Sequence, residues 1–216
     1  TSLAEENYLK SIYKIHEKTG TTVSTSALAD SLNVSAASVT DFVKKIAVKK
    51  LVSYKKSKGV TLTEQGRTIA INIIRKHRLW EVWLVSKLNF KWDEVHDLAE
   101  QLEHIHSEKL INQLEEFLNF PETDPHGDPI PDKNGVLKSQ ELITISKMNI
   151  GENGKISGVT AHSKDFLQYL EKTGLILGEN IKIIDKINFD GAVVIALNNK
   201  EQTISREVAK NLLIAL

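Results

Sequence analysis

Leu51-Val-Ser-Tyr-Lys-Lys-Ser-Lys-Gly-Val-Thr-Leu62 reads as two short strands around a Lys-Ser-Lys-Gly turn. Both flanks are helical. Upstream, Ser26-Ala-Leu-Ala-Asp-Ser-Leu32 forms a short helix with Leu28, Ala29 and Leu32 inward, and Asn33-Val34 makes a turn. Ser35 then caps a longer helix, Ala36 to Lys50, whose Val39, Phe42, Val43 and Ile46 face a core. Downstream, Thr63 caps a further helix that begins Glu64-Gln-Gly-Arg67. A helix-turn-helix followed at once by a lysine-tipped hairpin is the order of a winged helix. Ser35, Ala37, Ser38, Thr40 and Asp41, at the start of the second helix, are small or polar, as a helix entering a major groove requires. Lys44 continues that face, and Lys55, Lys56 and Lys58 on the hairpin supply charge for the phosphate backbone. The bland alternative is a helical hairpin with a solvated basic end; the adjoining basic wing favours DNA.

Outward from this stretch the chain divides by pattern. Residues 5–18 form an amphipathic helix with Tyr8, Leu9, Ile12, Tyr13 and Ile15 on its apolar face, closed by Gly20. A winged helix-turn-helix domain therefore spans 1–63. Residues 64–120 are helical: a long helix over 64–90 is apolar on more than one side, and 107–118 continue with Ile111, Leu114, Phe117 and Leu118. So much apolar surface with so little chain left to cover it makes these helices the candidate dimer interface; an oversized internal core is the alternative. Residues 121–141 hold all four prolines and form a linker. In 142–216 short β-rich runs (156–159, 180–187, 192–197, 202–204, 212–214) surround one helix at 164–172, which suggests a small, strongly bent, SH3-like barrel. The expected fold is mainly α with a small β domain.

Two helical stretches carry metal-binding side chains. In Glu94-Val-His-Asp-Leu-Ala-Glu-Gln-Leu-Glu-His-Ile-His106, a helix would bring His96, Glu100, Glu103 and His104 into one arc, with Val95, Leu98, Leu102 and Ile105 opposite and Asp93 as cap. In Arg75-Lys-His-Arg-Leu-Trp-Glu81, His77 and Glu81 lie one helical turn apart. Imidazoles and carboxylates are the donors that Mn, Fe, Co, Ni or Zn prefer, and two such helices can close a cage between them. A solvated polar face is the competing reading. Asp124 and His126 read as turn residues, and His16 and His106 as surface groups turned away from the arc.

Composition narrows the classes. Basic and acidic residues balance at 28 each, so only local clustering can speak for nucleic acid. With no cysteine there is no disulfide, thiolate metal site or cysteine nucleophile. No apolar run suits a bilayer and no signal-peptide pattern appears, which leaves a cytoplasmic protein as the expectation and no membrane partner. The helix-borne zinc-protease signature is absent too, so a metal-dependent hydrolase has no water-activating motif to rest on. A winged-helix regulator that senses a small organic ligand is the closer rival.

Winged helix-turn-helix, then Arg75-Lys-His-Arg-Leu-x-Glu81, then His96-Asp-x-Ala-Glu-x-x-Glu-His104, then Pro125-His-Gly-x-Pro-Ile-Pro131, then a small β domain: this order resembles the diphtheria toxin repressor family, particularly its manganese-responsive members. The resemblance implies a homodimer that a divalent metal, Mn(II) or Fe(II), activates to bind a double-stranded operator and repress metal-uptake genes, other divalent transition metals substituting in vitro. It implies a primary site of Asn7, Glu100, Glu103 and His104. It implies an ancillary site of His77, Glu81 and His96, completed by His162 and Asp165 from the β domain. Glu100 stands where iron-type members carry cysteine, which favours the harder Mn(II). Asn7 replaces an Asp or Met ligand and is a weaker donor. Lys10 replaces a glutamate that bridges a two-ion centre in some members, so its charge should repel a second ion and keep the sites mononuclear.

Overall fold

Ser2 starts the first helix, α1 (Leu3–Thr19), through a capping box with Glu5, and Gly20 ends it in the left-handed region at φ 66°. Serine side chains also cap the next two helices, each accepting from the amide three residues on: Ser24 from Ala27 for α2 (Thr25–Leu32) and Ser35 from Ser38 for α3 (Ala36–Val48). Asn33 turns the chain between them in the left-handed conformation that asparagine tolerates. The hairpin follows as β1 (Val52–Lys55) and β2 (Gly59–Leu62), paired antiparallel with Val52 opposite Leu62 and Lys55 opposite Gly59. Gly59 sits at φ 87°, and a Cβ there would come within 2.5 Å of the Val23 carbonyl oxygen, so only glycine lets the wing close against that chain. Thr63 Oγ1 accepts from the Gly66 amide at the start of α4 (Glu64–Leu88).

The computed structural model describes residues 1–138 and 141–216; the last part of the expected 121–141 linker, Ser139 and Gln140, lies outside the described residues. The chain forms two compact units. The first comprises Thr1–His77, Glu100–Asn112 and Pro131–Val136; the second comprises Arg78–Ala99, Gln113–Ile130 and Leu137–Leu216. The three middle helices, α4, α5 (His96–Leu102) and α6 (Glu108–Phe117), are thus each shared between units.

In the first unit Leu9 and Ile12 of α1, Leu28 of α2, Val39, Val43 and Ile46 of α3, Val60 of the wing and Ala70 of α4 are wholly or almost wholly buried in one cluster. Tyr8 packs on Phe42 with ring centroids 4.3 Å apart. The wing is therefore anchored in the same core as the helix it follows.

The expected helix over 94–106 is shorter: α5 has seven residues and stops at Leu102. The Ile105 amide bonds the Leu102 carbonyl, and Ser107 Oγ then accepts from the Leu110 amide, which starts a new helix. Glu103 and His104 accordingly sit on a turn. Nor does Asp93 cap α5; its Oδ2 accepts from Gln168 Nε2 at 2.8 Å.

The second unit carries a six-stranded antiparallel sheet in the order β3-β8-β4-β5-β6-β7. Its strands are β3 (Ile143–Thr144), β4 (Asn153–Val159), β5 (Asn180–Lys186), β6 (Val193–Leu197), β7 (Lys200–Ile204) and β8 (Leu212–Ala215). Irregular register at Ile156/Gly158 and at Ile183/Asp185 bends it around Ile156, Leu170, Ile183, Ile195 and Ile214. The helix α7 (Lys164–Thr173) covers this core and ends on Gly174 at φ 75°. The expected set of five strands and one helix lacked β3, too short at two residues to show alternation, and the six-residue α8 (Arg206–Asn211) capped by Ser205.

Candidate metal centres and nucleic-acid interface

The first α1 turns and the segment from Glu100 onward build one charged cluster in the first unit. Glu103 is fully buried. Its Oε2 lies 2.6 Å from His77 Nδ1, and both its oxygens lie 2.7 Å from Lys10 Nζ. Lys10 Nζ also donates to Glu100 Oε1, which lies 3.9 Å from His77 Nδ1. On the same helix, Glu6 Oε2 accepts from His104 Nδ1 at 2.7 Å, and Glu6 Oε1 accepts from Thr1 and lies 3.5 Å from His106. Burial alone would raise the Glu6 carboxyl. The bonds from His104 and Thr1, with the nearby Lys76 and His106 charges, hold it below its ordinary range. Burial in turn lowers Lys76, against the pull of Glu6 and Glu103.

Beside Glu6, the Oδ1 of Asn7 is buried and has no hydrogen-bond partner among the described residues. A buried carbonyl oxygen of that kind costs about 1–3 kcal/mol unless something satisfies it. Carboxylate, imidazole and amide oxygen together suit a divalent first-row ion, and His77, Glu100 and Glu103 present ligand atoms within 4.8 Å of one another. The residues present fit such an ion.

A second cluster lies in the second unit. Glu81, Asp124 and His126 are all buried and present ligand atoms within 4.8 Å of one another. His126 Nδ1 lies 3.7 Å from Glu81 Oε2 and 3.9 Å from Asp124 Oδ1, while Nε2 faces the Trp92 carbonyl at 2.9 Å. His96 Nδ1 is 3.7 Å from the other Glu81 oxygen. The His162 ring meets that of His126 edge-on at 5.1 Å and lies 3.8 Å from Asp128. Arg78 reaches both Asp124 and Asp128. Burial, then the Glu81 and Asp128 charges, push Asp124 up to about 7. His126 rises to about 9: burial works against its charged form, but Glu81 and Asp124 outweigh it. Gly127, directly after His126, bonds its amide to the Asp124 carbonyl and sits at φ 88°, where a Cβ would strike the Ser157 carbonyl at 2.1 Å.

Ser35, Ala37, Ser38, Asp41 and Lys44, at and along α3, are exposed, as are Lys55, Lys56 and Lys58 on the wing. Thr40 is half-buried and ties its hydroxyl to the Ala36 carbonyl, while Lys44 pairs with Asp41 at 3.4 Å. The helix start is thus open and made of small or polar groups with Asp41 as its acid, and cations lie behind it and on the hairpin.

Residues 1–60 match the N-terminal DNA binding domain of the iron dependent repressors, and residues 63–132 match their metal binding and dimerisation domain. Residues 143–216 match the FeoA domain. The iron-dependent repressor IdeR of Mycobacterium bovis is 38% identical over 126 residues, 58% of this chain and 54% of that protein, so this match spans about half the relative's length. IdeR of Mycobacterium leprae is 29% identical over 217 residues, 94% of this chain and 93% of its own. A solved manganese-dependent transcriptional repressor, in complex with manganese, superposes with a TM-score of 0.86 at 31% identity, over 97% of this chain and 98% of the other. The chain belongs to the diphtheria toxin repressor family. The relative and the solved structure named here are metal-dependent repressors, and the matched family models describe DNA binding and metal binding with dimerisation.

In this family member Glu100, Glu103 and His104 gather near α1 as a set, and His77 joins them through Glu103. His96 pairs with Glu81 and His162 with Asp128 and His126. Asp165 is exposed in the first turn of α7 and belongs to none of the His/carboxylate groups among the described residues. His106 faces Glu6 rather than turning away, because α5 has ended before it. Glu6, Asp124 and His126 went unrecognised in the sequence. For Glu6 no local signal existed, since its partner His104 lies 98 residues on; for the other two, proline on both sides of Asp-Pro-His-Gly-Asp hid side chains that the turn directs inward.

Proposed function

We propose that this chain is a Mn(II)- or Fe(II)-activated repressor that binds a double-stranded operator as a homodimer in the cytoplasm and controls metal uptake. The observation that carries this reading is the buried, unpartnered Asn7 Oδ1 on the same helix as Glu6 and Lys10, whose side chains meet His104, Glu100 and Glu103. In this reading Asn7, Glu100, Glu103 and His104 hold the activating ion, with His77 beside them. A bound ion supplies concentrated positive charge that cross-links donors from separate parts of the chain. The residues do the rest. Asn7 and Glu6 fix α1, α1 packs on α3 through Tyr8 and Phe42, and α3 carries Ser35, Ala37, Ser38, Thr40 and Asp41 to the groove. In a dimer this holds two reading helices about 34 Å apart, one turn of duplex. Occupancy acts by favouring the competent conformation.

The ancillary ion falls to Glu81 and His96 of the expected set, with Asp124 and His126 as further donors and His162 at the edge. The functional modules in this reading are 1–63 for DNA, 64–120 for metal and dimerisation, 121–141 as linker and 142–216 as the SH3-like domain. The test is operator binding titrated in parallel with Mn(II), Fe(II) and Zn(II). Affinity should rise at least about tenfold with Mn(II) or Fe(II). Affinity that neither ion changes overturns the reading.

A further inference from the structure

The ammonium group of Lys10 lies inside the donor set of the first cluster. Its Nζ stands 2.5 Å from Glu100 Oε1 and 2.7 Å from each oxygen of Glu103, and its side chain is only 7% exposed. An ammonium has three hydrogens to give, and here three carboxylate oxygens surround it. From its sequence position Lys10 was expected only to repel a second ion. The contacts give it a more direct relation to the first.

Two carboxylates sharing one space, Glu103 fully buried and Glu100 about a third exposed, repel each other, and a cation between them relieves that repulsion. Removing one partner from a buried ion pair leaves the other charge uncompensated, which is costly. Lys10 therefore stabilises the arrangement without metal through the same oxygens that an incoming cation would take. Its charge is carried on a flexible four-carbon stem rooted in the second turn of α1, so it can leave the oxygens without any backbone change. Glu6 adds a third acidic group, with His104 and Lys76 as its charged neighbours; His77 Nδ1 also approaches both carboxylates, 2.6 Å from Glu103 Oε2 and 3.9 Å from Glu100 Oε1, so Lys10 shares these oxygens with an imidazole.

We propose that Lys10 is a tethered competitor for the metal: its ammonium holds Glu100 and Glu103 in the metal-free protein and must give them up on loading, so that Lys10 sets the metal concentration at which the protein responds. This rests on reading Glu100, Glu103 and His104 as ligands. A strong internal competitor gives a weaker but more graded site than the bare donors would.

Calorimetric titration of the full chain with Mn(II) tests it, comparing the wild type with Lys10→Met and Glu103→Gln. Methionine keeps an unbranched apolar stem and removes the charge. Lys10→Met should bind Mn(II) roughly tenfold or more tightly. Its metal-free form should melt lower than wild type, and added Mn(II) should raise the midpoint further than in wild type. Equal or weaker binding by Lys10→Met, with wild-type binding still lost in Glu103→Gln, overturns the competitor role and leaves the ligand assignment standing. Because the ancillary cluster keeps its own donors in Glu103→Gln, the stoichiometry decides: that variant binding as many Mn(II) ions as wild type, rather than one fewer, overturns the ligand assignment and the competitor role together. If Lys10→Met does not fold, nitrogen-15 spectra of the wild-type lysine ammonium groups decide. The Lys10 signal, protected from solvent in the metal-free protein, should lose protection as diamagnetic Zn(II) is added; protection kept at saturation overturns displacement.

Discussion

His126 is held by acids on two sides, Glu81 and Asp124, in a space that excludes water. Its charged form is favoured to about 9, against an ordinary value of 6.5. A folded-state value above the unfolded one means that the native protein binds the extra proton. The stabilisation is complete below pH 6.5 and is lost as pH rises through 9. Asp124, raised to about 7, works in the same sense, since its buried carboxylate is least costly when protonated. The metal-free protein should therefore melt several degrees lower at pH 9 than at pH 6.5, at about 2–4 °C per kcal/mol for a chain of this size. His126→Gln should flatten that slope. Calorimetric melting across this pH range checks both, and a midpoint that holds or rises toward pH 9 would contradict the ion pairing assigned to His126.

The elements themselves were legible to different degrees. The winged helix could be read because each of its signals is local: a serine cap before each of α2 and α3, Asn33 between them, Gly59 closing the hairpin. The donors of the first cluster could be read as residue types, but not as a geometry. A continuous helix through 106 puts His96 in the arc with Glu103; ending at Leu102 separates them and turns Glu103 and His104 toward α1. Ser107 is the cap that marks this break, and it competes with a helical periodicity that runs straight through it. Contacts between residues ninety or more apart, such as Lys10 with Glu100 and Glu103, leave no periodic trace at all. The wing carries an element-level prediction. Each of Lys56→Ala and Lys58→Ala should weaken operator binding alike across sequences and reduce the slope of log affinity against log salt by about 1. Binding measured from low to high salt reads this directly; an unchanged slope in both variants would remove the wing from the phosphate backbone.

At the scale of the molecule, the two compact units divide α4, α5 and α6 between them, whereas the reading by pattern grouped these helices as one domain. Hydrophobic periodicity reports which face of a helix is buried, but not which neighbour buries each end of it. Leu110 and Phe117 of α6 remain exposed, Phe117 at 63% with Lys87 Nζ over its ring. Exposed aromatic surface on a helix of the matched dimerisation domain suits a second copy of the chain. Phe117→Asp should shift the protein from dimer toward monomer by about tenfold or more in dissociation constant, and should lower operator affinity with it. Analytical ultracentrifugation reads the first, and an unaltered dimer would place the interface elsewhere.

The bond between Lys49 and Glu5 joins the far end of α3 to the first turn of α1, next to Glu6 and Asn7 along the chain. With the Tyr8 and Phe42 rings in tilted contact at 4.3 Å, α3 meets α1 at two points along its length. In the proposed reading, a displacement of the amino end of α1 on metal loading would pass through these two contacts to α3, whose start carries Ser35 and Ser38. Under the proposed function, the helix that meets the ion and the helix that meets the operator would then be in direct contact, with no intervening element to relay the signal.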